Sequence, residues 1–390
     1  MELTDIIKKS VNSKFKDRTV ADFLSEEKGK GKWLSTGSAL LNATASNRKD
    51  GGYAIGTMVL LDSLEGGGKS LLCLHAVAET QKVGGVAVYI DTENAINEKT
   101  IEFAEAIGVD INKMLLLQNI DTLEDVFTVI EDILDKAQEN QSKLVTIILD
   151  SHSAITPKNE FEGDFKKEGW NTDKALVTGK AFRKITYKLK KSNAVLIVTR
   201  QLRMKLDAGL FGDPYTASGG LANDFHASLR LRLAKSTKIK AKIYKTEEEI
   251  GMITRVKVTK SRFGSQGKVI KYTVYYDRGI DDINDWIEVL KEHEQLKQGG
   301  GWWTWIDMEK KDEEGNPLEH KFRGKNLETL ITVEQPHLKK QMYDILHEVI
   351  CRSYSTKNID KDDMFLDQSD IEQLDIDEIA EKASKKEIKE

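Results

Sequence analysis

Residues 63–70 read Ser63-Leu64-Glu65-Gly66-Gly67-Gly68-Lys69-Ser70, between an apolar run and a helical stretch. Three consecutive glycines let backbone N–H groups turn toward a phosphate with no Cβ in the way. The positive end of the following helix favours the anion, Lys69 can reach the outer phosphates, and the Ser70 hydroxyl can coordinate Mg²⁺. The pattern usually opens on glycine; here it opens on Ser63, which bears on loop geometry and nucleotide affinity. A second site of the same kind is Val145-Thr146-Ile147-Ile148-Leu149-Asp150, an apolar strand ending in an acid. That places a carboxylate where a Mg²⁺ water shell must be held, at the carboxyl end of a sheet. Ser70 and Asp150 are therefore the expected metal residues. Asp91-Thr92-Glu93 ends another strand, and Glu93 has the chemistry of a base for an attacking water. Taken together, these residues describe a site that binds MgATP and hydrolyses it.

Such a site needs a sheet whose strand ends converge. Apolar runs at 57–62, 85–90, 114–117, 144–149 and 194–199 alternate with helical patterns near 70–82, 97–107, 122–138 and 174–191. Buried strands alternating with helices imply an α/β fold with a mostly parallel sheet. Residues 226–234, 252–260 and 269–276 read as consecutive strands, so the sheet is expected to finish antiparallel. At the N-terminus, Leu3, Ile6, Ile7, Val11 and Phe15 form the stripe of a short amphipathic helix, followed by a polar linker over 25–32. Residues 282–359 read as a small α+β unit, with a helix over 283–297, a Trp302, Trp303 and Trp305 cluster filling its core, and a helix over 336–351. The expected divisions are 1–34, 35–281, 282–359 and a disordered tail from 360.

The chain has 390 residues, 32% of them charged, with a net charge of −5. Residues 361–390 hold eleven Asp and Glu against five Lys, so the acidity sits in the tail and the body is near neutral. The two cysteines, Cys73 and Cys351, lack metal or disulfide spacing, which points to a reducing compartment. No stretch approaches transmembrane length, and no membrane partner is expected.

The motifs, in their order, resemble the RecA-type recombinases, especially the phage UvsX-like branch. The series runs Ser35-Thr36-Gly37-Ser38, the phosphate loop, Asp91-Thr92-Glu93, Ile107-Gly108-Val109-Asp110, Leu149-Asp150-Ser151, Ala154-Ile155-Thr156-Pro157-Lys158 and Arg200-Gln201-Leu202-Arg203-Met204-Lys205. Phe211-Gly212-Asp213-Pro214, Gly219-Gly220 and Lys260-Ser261-Arg262 complete it, so the likeness covers about 33–305. The fold it implies is a RecA-like P-loop ATPase core. By position, it gives Glu93 the water-activating role, sets Phe103 against adenine, and makes Gln201 the sensor of the γ-phosphate. It also makes Lys260 and Arg262 the basic pair that reaches a neighbouring subunit's ATP.

Two segments, 158–173 and 201–217, mix cations with apolar groups and lack periodicity. The first carries Lys166, Lys167 and Trp170; the second carries Arg203, Lys205, Leu206 and Phe211. Cations can contact phosphates while apolar groups stack on bases or wedge between them. The resemblance makes both DNA-binding loops, puts Trp170 and Leu206 at wedge positions, and adds Gly219 and Gly220 to the DNA contacts. It implies an ATP- and Mg²⁺-dependent strand-exchange filament in the cytoplasm of a bacterium or a phage-infected host. Expected partners are single-stranded DNA, homologous duplex, further copies of the chain, a single-stranded-DNA-binding protein and a loading mediator. A hexameric helicase of the same core and a non-catalytic mediator are the rival readings.

Overall fold

The computed structural model describes residues 3–14, 31–163, 170–204, 215–217, 221–264 and 266–351. Its centre is a ten-stranded sheet. Strands β3 (Met58–Ser63), β4 (Val86–Asp91), β5 (Met114–Leu117), β6 (Val145–Asp150) and β7 (Ala194–Met204) lie in the order β3-β7-β6-β4-β5, all parallel. On the other side of β3, β9 (Leu229–Ile243) is parallel to it; β10 (Thr246–Ser261), β11 (Val269–Tyr275) and β12 (Gly279–Ile280) then follow antiparallel. The expected change of pairing is present.

The inner strands are mostly apolar because both faces are covered. Alternate side chains of β3 enter opposite layers, as a pleated strand requires. Val59 and Leu61 pack with Leu72, Val77 and Phe103, under α3 (Lys69–Lys82) and α4 (Glu98–Ala106). Met58 and Leu60 pack with Phe127, Ile130, Phe182 and Ile185, under α5 (Leu123–Glu139) and α7 (Trp170–Leu189). In α5, Leu123, Val126, Phe127, Ile130, Leu134 and Ala137 are buried, the three-and-four spacing of one helical face. Thr122 caps it by accepting from the Asp125 N–H at 3.2 Å.

Elsewhere, β1 (Trp33–Leu34) pairs with β2 (Tyr53–Ala54), flanking α2 (Ala39–Ser46). A third core gathers α9 (Asp282–Glu292), α10 (Leu327–Thr329) and α11 (Pro336–Ile350) beside a sheet of β13 (Lys297–Gly299), β14 (Trp302–Lys311) and β15 (Pro317–Phe322), and it includes Leu40 of α2. At the N-terminus, α1 (Leu3–Ser13) buries no residue and leaves Leu3, Ile6 and Ile7 exposed. No helix among the described residues is long and apolar enough to cross a membrane.

Several expectations change. The helix expected over 283–297 stops at Glu292, and Lys297 already belongs to β13. Trp305 is buried and Trp303 packs on the third core, but Trp302 is 42% exposed beneath the Arg323 guanidinium. Neighbouring strand residues point to opposite faces, so a run of three tryptophans cannot all enter one core. The described ends of the 158–173 segment are helical: α6 (Lys158–Phe161) forms one turn, and Trp170 opens α7. The 201–217 segment is framed by strands. Gln201–Met204 continue β7, and β8 (Tyr215–Ala217) pairs back on them with Leu202 opposite Ala217. Phe15, Lys166, Lys167, Lys205, Leu206, Phe211, Gly219, Gly220 and the acidic tail lie outside the described residues.

Candidate nucleotide site and the residues around it

The phosphate loop joins β3 to α3, and its glycines are demanded by geometry at two points. A Cβ on Gly67 would stand 2.6 Å from Ser63, and Gly68, at φ +89°, occupies left-handed space. At its first position, Ser63 is fully buried and accepts a hydrogen bond from the Lys69 Nζ at 2.8 Å, while its own hydroxyl donates to the Leu64 carbonyl at 2.6 Å. The residue that departs from the usual glycine therefore holds the loop lysine. Burial pulls the Lys69 ammonium below the ordinary lysine value, against the opposing pull of Asp150 and Glu93.

Asp150 ends β6 beside this loop, 9% exposed. Its Oδ2 accepts from the Ser70 hydroxyl and the Tyr89 hydroxyl, each at 2.6 Å, and its Oδ1 accepts from Thr199 Oγ1 at 2.6 Å. A carboxylate and a serine hydroxyl in contact form an all-oxygen donor set, which fits Mg²⁺. Parallel pairing sets Asp91 opposite Asp150, and the next residues are pinned across the two strands. Thr92 Oγ1 donates to the Ser151 carbonyl at 2.7 Å and accepts from the Ser151 N–H at 2.9 Å. Ser151 Oγ then donates to Glu93 Oε1, which holds the exposed Glu93 carboxylate at the end of β6 that carries Asp150. Gln201 stands directly opposite Ser63 in the β3–β7 register, with its N–H on Ser153 Oγ at 2.9 Å. Lys69, Ser70, Glu93, Asp150 and Gln201 thus meet at the carboxyl ends of four adjacent parallel strands, where open α/β sheets bind ligands.

Phe103 does not join them. It is 4% exposed in the core, with its ring edge-on to His75 at 6.0 Å. Its helix turns this face to the sheet, and the ring packs in the core rather than beside the phosphate loop. Burial lowers the pKa of His75 to about 4, and its Nε2 accepts from the Ile280 N–H at 3.3 Å, as a neutral ring does.

Lys260 and Arg262 form a separate group at the end of β10. The Lys260 ammonium donates to the carbonyls of Asp224 and Phe225, the latter at 3.2 Å, and Arg262 Nη2 donates to the Phe225 carbonyl at 3.1 Å. Both cations therefore rest on α8 (Leu221–His226), beside a Phe225 side chain that is 73% exposed. Arg203, expected to touch DNA, lies exposed near the end of β7.

A network that sequence reasoning missed links these two groups. Asp62, next to Ser63, is fully buried and accepts from Arg200 Nε at 2.8 Å and Nη2 at 3.0 Å, and also from Arg230. Asp224 accepts from Arg200 at 2.9 Å and from Arg230 at 2.8 Å, while its backbone carbonyl takes Lys260. Two acids and two guanidiniums alternate in a closed ring that balances its own charge. No local signal marks it, because its members lie 6 to 168 residues apart. Arg200→Met should strip Asp62 of two donors in the interior and destabilise the chain by about 3–5 kcal/mol. Urea unfolding, followed by tryptophan fluorescence, checks this; an unchanged midpoint would show the ring to be dispensable.

With this geometry in place, the comparison with known proteins is decisive. The family described as the RecA N-terminal domain matches residues 2–281. The chain belongs to the RecA family. Its relatives include Protein RecA of Mycoplasma mycoides, 31% identical over 272 residues, covering 70% of this chain and 74% of that protein. Protein RecA of Colwellia psychrerythraea is 34% identical over 271 residues, covering 70% and 73%. That of Clostridioides difficile is 32% identical over 298 residues, covering 76% and 80%.

Proposed function

We propose that this chain is an ATP-driven recombinase of the phage UvsX-like branch, which assembles on single-stranded DNA and pairs it with homologous duplex. The observation that carries the reading is the contact of Ser70 with Asp150 beside a Glu93 held by Ser151. Binding residues, metal residues and a base stand together, as hydrolysis requires.

In this mechanism the N–H groups of Gly66 to Ser70 receive the phosphates and Lys69 leaves Ser63 for the outer ones. Ser70 and Asp150 would hold Mg²⁺, which would supply neutralisation of the phosphate charge. Glu93 takes the proton of the attacking water, and Gln201, one strand from Ser63, registers the terminal phosphate. Its movement passes along β7 into the 201–217 segment, which grips DNA with Arg203, Lys205, Leu206 and Phe211. Gly219, Gly220 and the 158–173 segment, through Lys166, Lys167 and Trp170, extend that surface. Lys260 and Arg262 serve the neighbouring subunit's nucleotide. Residues 1–34 dock on the adjacent copy, which would cover the exposed stripe of α1. The 282–359 unit and the acidic tail after 360 lie outside the catalytic core. A single-stranded-DNA-binding protein and a loading mediator are the accessory partners, and the bacterial or phage-infected cytoplasm is the setting.

Electron microscopy with single-stranded DNA and a non-hydrolysable ATP analogue tests the assembly. Helical filaments are expected. Closed rings would favour a helicase, and single subunits a non-catalytic mediator.

A further inference from the structure

Far along the chain from the nucleotide loop, three side chains outside its chemistry converge between β14, β15 and α11. Asp307 of β14 is fully buried, His320 of β15 is 11% exposed and His337 of α11 is 26% exposed. The Asp307 Oδ2 lies 2.6 Å from His337 Nε2 and 3.3 Å from His320 Nε2, and the three atoms lie within 4.8 Å of one another.

The other carboxylate oxygen is fully engaged. Oδ1 accepts from the backbone N–H groups of Glu309 at 3.0 Å and Lys310 at 3.2 Å, and from Gln341 Nε2 at 2.8 Å. Gln341 is itself fixed, because its Oε1 accepts from the Trp305 indole at 3.3 Å. Asp307 is thus clamped with one oxygen committed to the protein and the other turned toward two imidazole nitrogens. Outer hydrogen bonds of this kind orient metal-binding carboxylates.

We propose that Asp307, His320 and His337 form a binding site for a transition-metal dication of the zinc class. Ligand atoms about 2.0–2.2 Å from a tetrahedral ion stand about 3.3 Å apart. Asp307 and His320 already have that separation, His337, on the first turn of α11, has to withdraw from Asp307 by under ~1 Å, and the two ring nitrogens, within 4.8 Å of each other, have to settle at the same spacing. Two imidazoles and one carboxylate suit zinc, cobalt or nickel and disfavour Mg²⁺, which prefers oxygen. The ion therefore discriminates this site from Ser70 and Asp150. On binding, each Nε2 lone pair turns to the ion and the ring proton resides on Nδ1. A water fills the fourth position, and the complex of two neutral rings, one carboxylate and the dication carries a net charge of +1. The ion would tie the β14–β15 hairpin to α11, raising the thermal stability of this region.

The test uses the full chain stripped of metal by a chelator, titrated with Zn²⁺ by calorimetry in excess Mg²⁺, and separately with Co²⁺ by visible absorption. One equivalent of Zn²⁺ with a Kd below about 1 µM is expected, with an intense tetrahedral Co²⁺ spectrum and a higher melting temperature. His320→Gln and His337→Gln should each abolish all three signals and leave Mg²⁺-dependent ATP hydrolysis, measured without zinc, unchanged, which confirms folding. His347→Gln, beside Cys351, should retain them. Absence of a stoichiometric equivalent, or binding that survives either His320→Gln or His337→Gln, overturns the site.

Discussion

Arg262→Ala should lower DNA-stimulated ATP hydrolysis by about 10³-fold, the scale of an arginine supplied to a transferring phosphoryl group. The same variant should bind nucleotide normally when dilute and unassembled. The physical reason is where the side chain rests. Within its own chain it donates to the Phe225 carbonyl at the end of α8, whereas the nucleotide loop is served by Lys69 and Ser70. Steady-state phosphate release with and without single-stranded DNA, beside fluorescent-nucleotide binding at low protein concentration, separates the two effects. Arg262→Lys should recover part of the rate, since it keeps the charge and loses the forked geometry. Hydrolysis by Arg262→Ala within a few-fold of the unaltered chain would remove this residue from the subunit interface.

Glu93→Gln should slow hydrolysis by about 10² to 10⁴-fold while sparing nucleotide binding. The amide keeps the shape and can still accept from Ser151 Oγ, but it cannot take a proton from water. Because the bound ATP then persists, DNA complexes of this variant should dissociate more slowly. Single-turnover hydrolysis and DNA off-rates measured on one preparation check both halves. Normal turnover would assign Glu93 to capping or surface duty.

What could be read from the chain follows the range of the interactions. Strands β3 to β6 and the phosphate loop were legible within one residue because apolar runs and glycine triplets act locally, whereas β7 begins at Ala194 as expected and continues five residues past 199. Strand β9 was read as 226–234 and runs from Leu229 to Ile243, since its lysine-rich outer half buries no residue. Phe103 illustrates a related point, because a helical pattern shows that a face is apolar, and not whether a ligand or a sheet covers it; here the sheet does. Gln201 was singled out by resemblance alone, and its position opposite Ser63 depends on β3–β7 register. The ring of Asp62, Arg200, Asp224 and Arg230, and the cluster around Asp307, exist only through tertiary contacts. One sequence carries no trace of them.

The most direct measurement is the affinity for single-stranded DNA, with and without a non-hydrolysable ATP analogue, for the unaltered chain and for Lys69→Ala. A nucleotide held at the Ser63–Ser70 loop should tighten DNA binding of the unaltered chain by at least about tenfold, a coupling of roughly 1.4 kcal/mol. Lys69→Ala should show no such response. Equal affinity in both conditions, or a full response in Lys69→Ala, would contradict a grip on DNA that is switched by this loop.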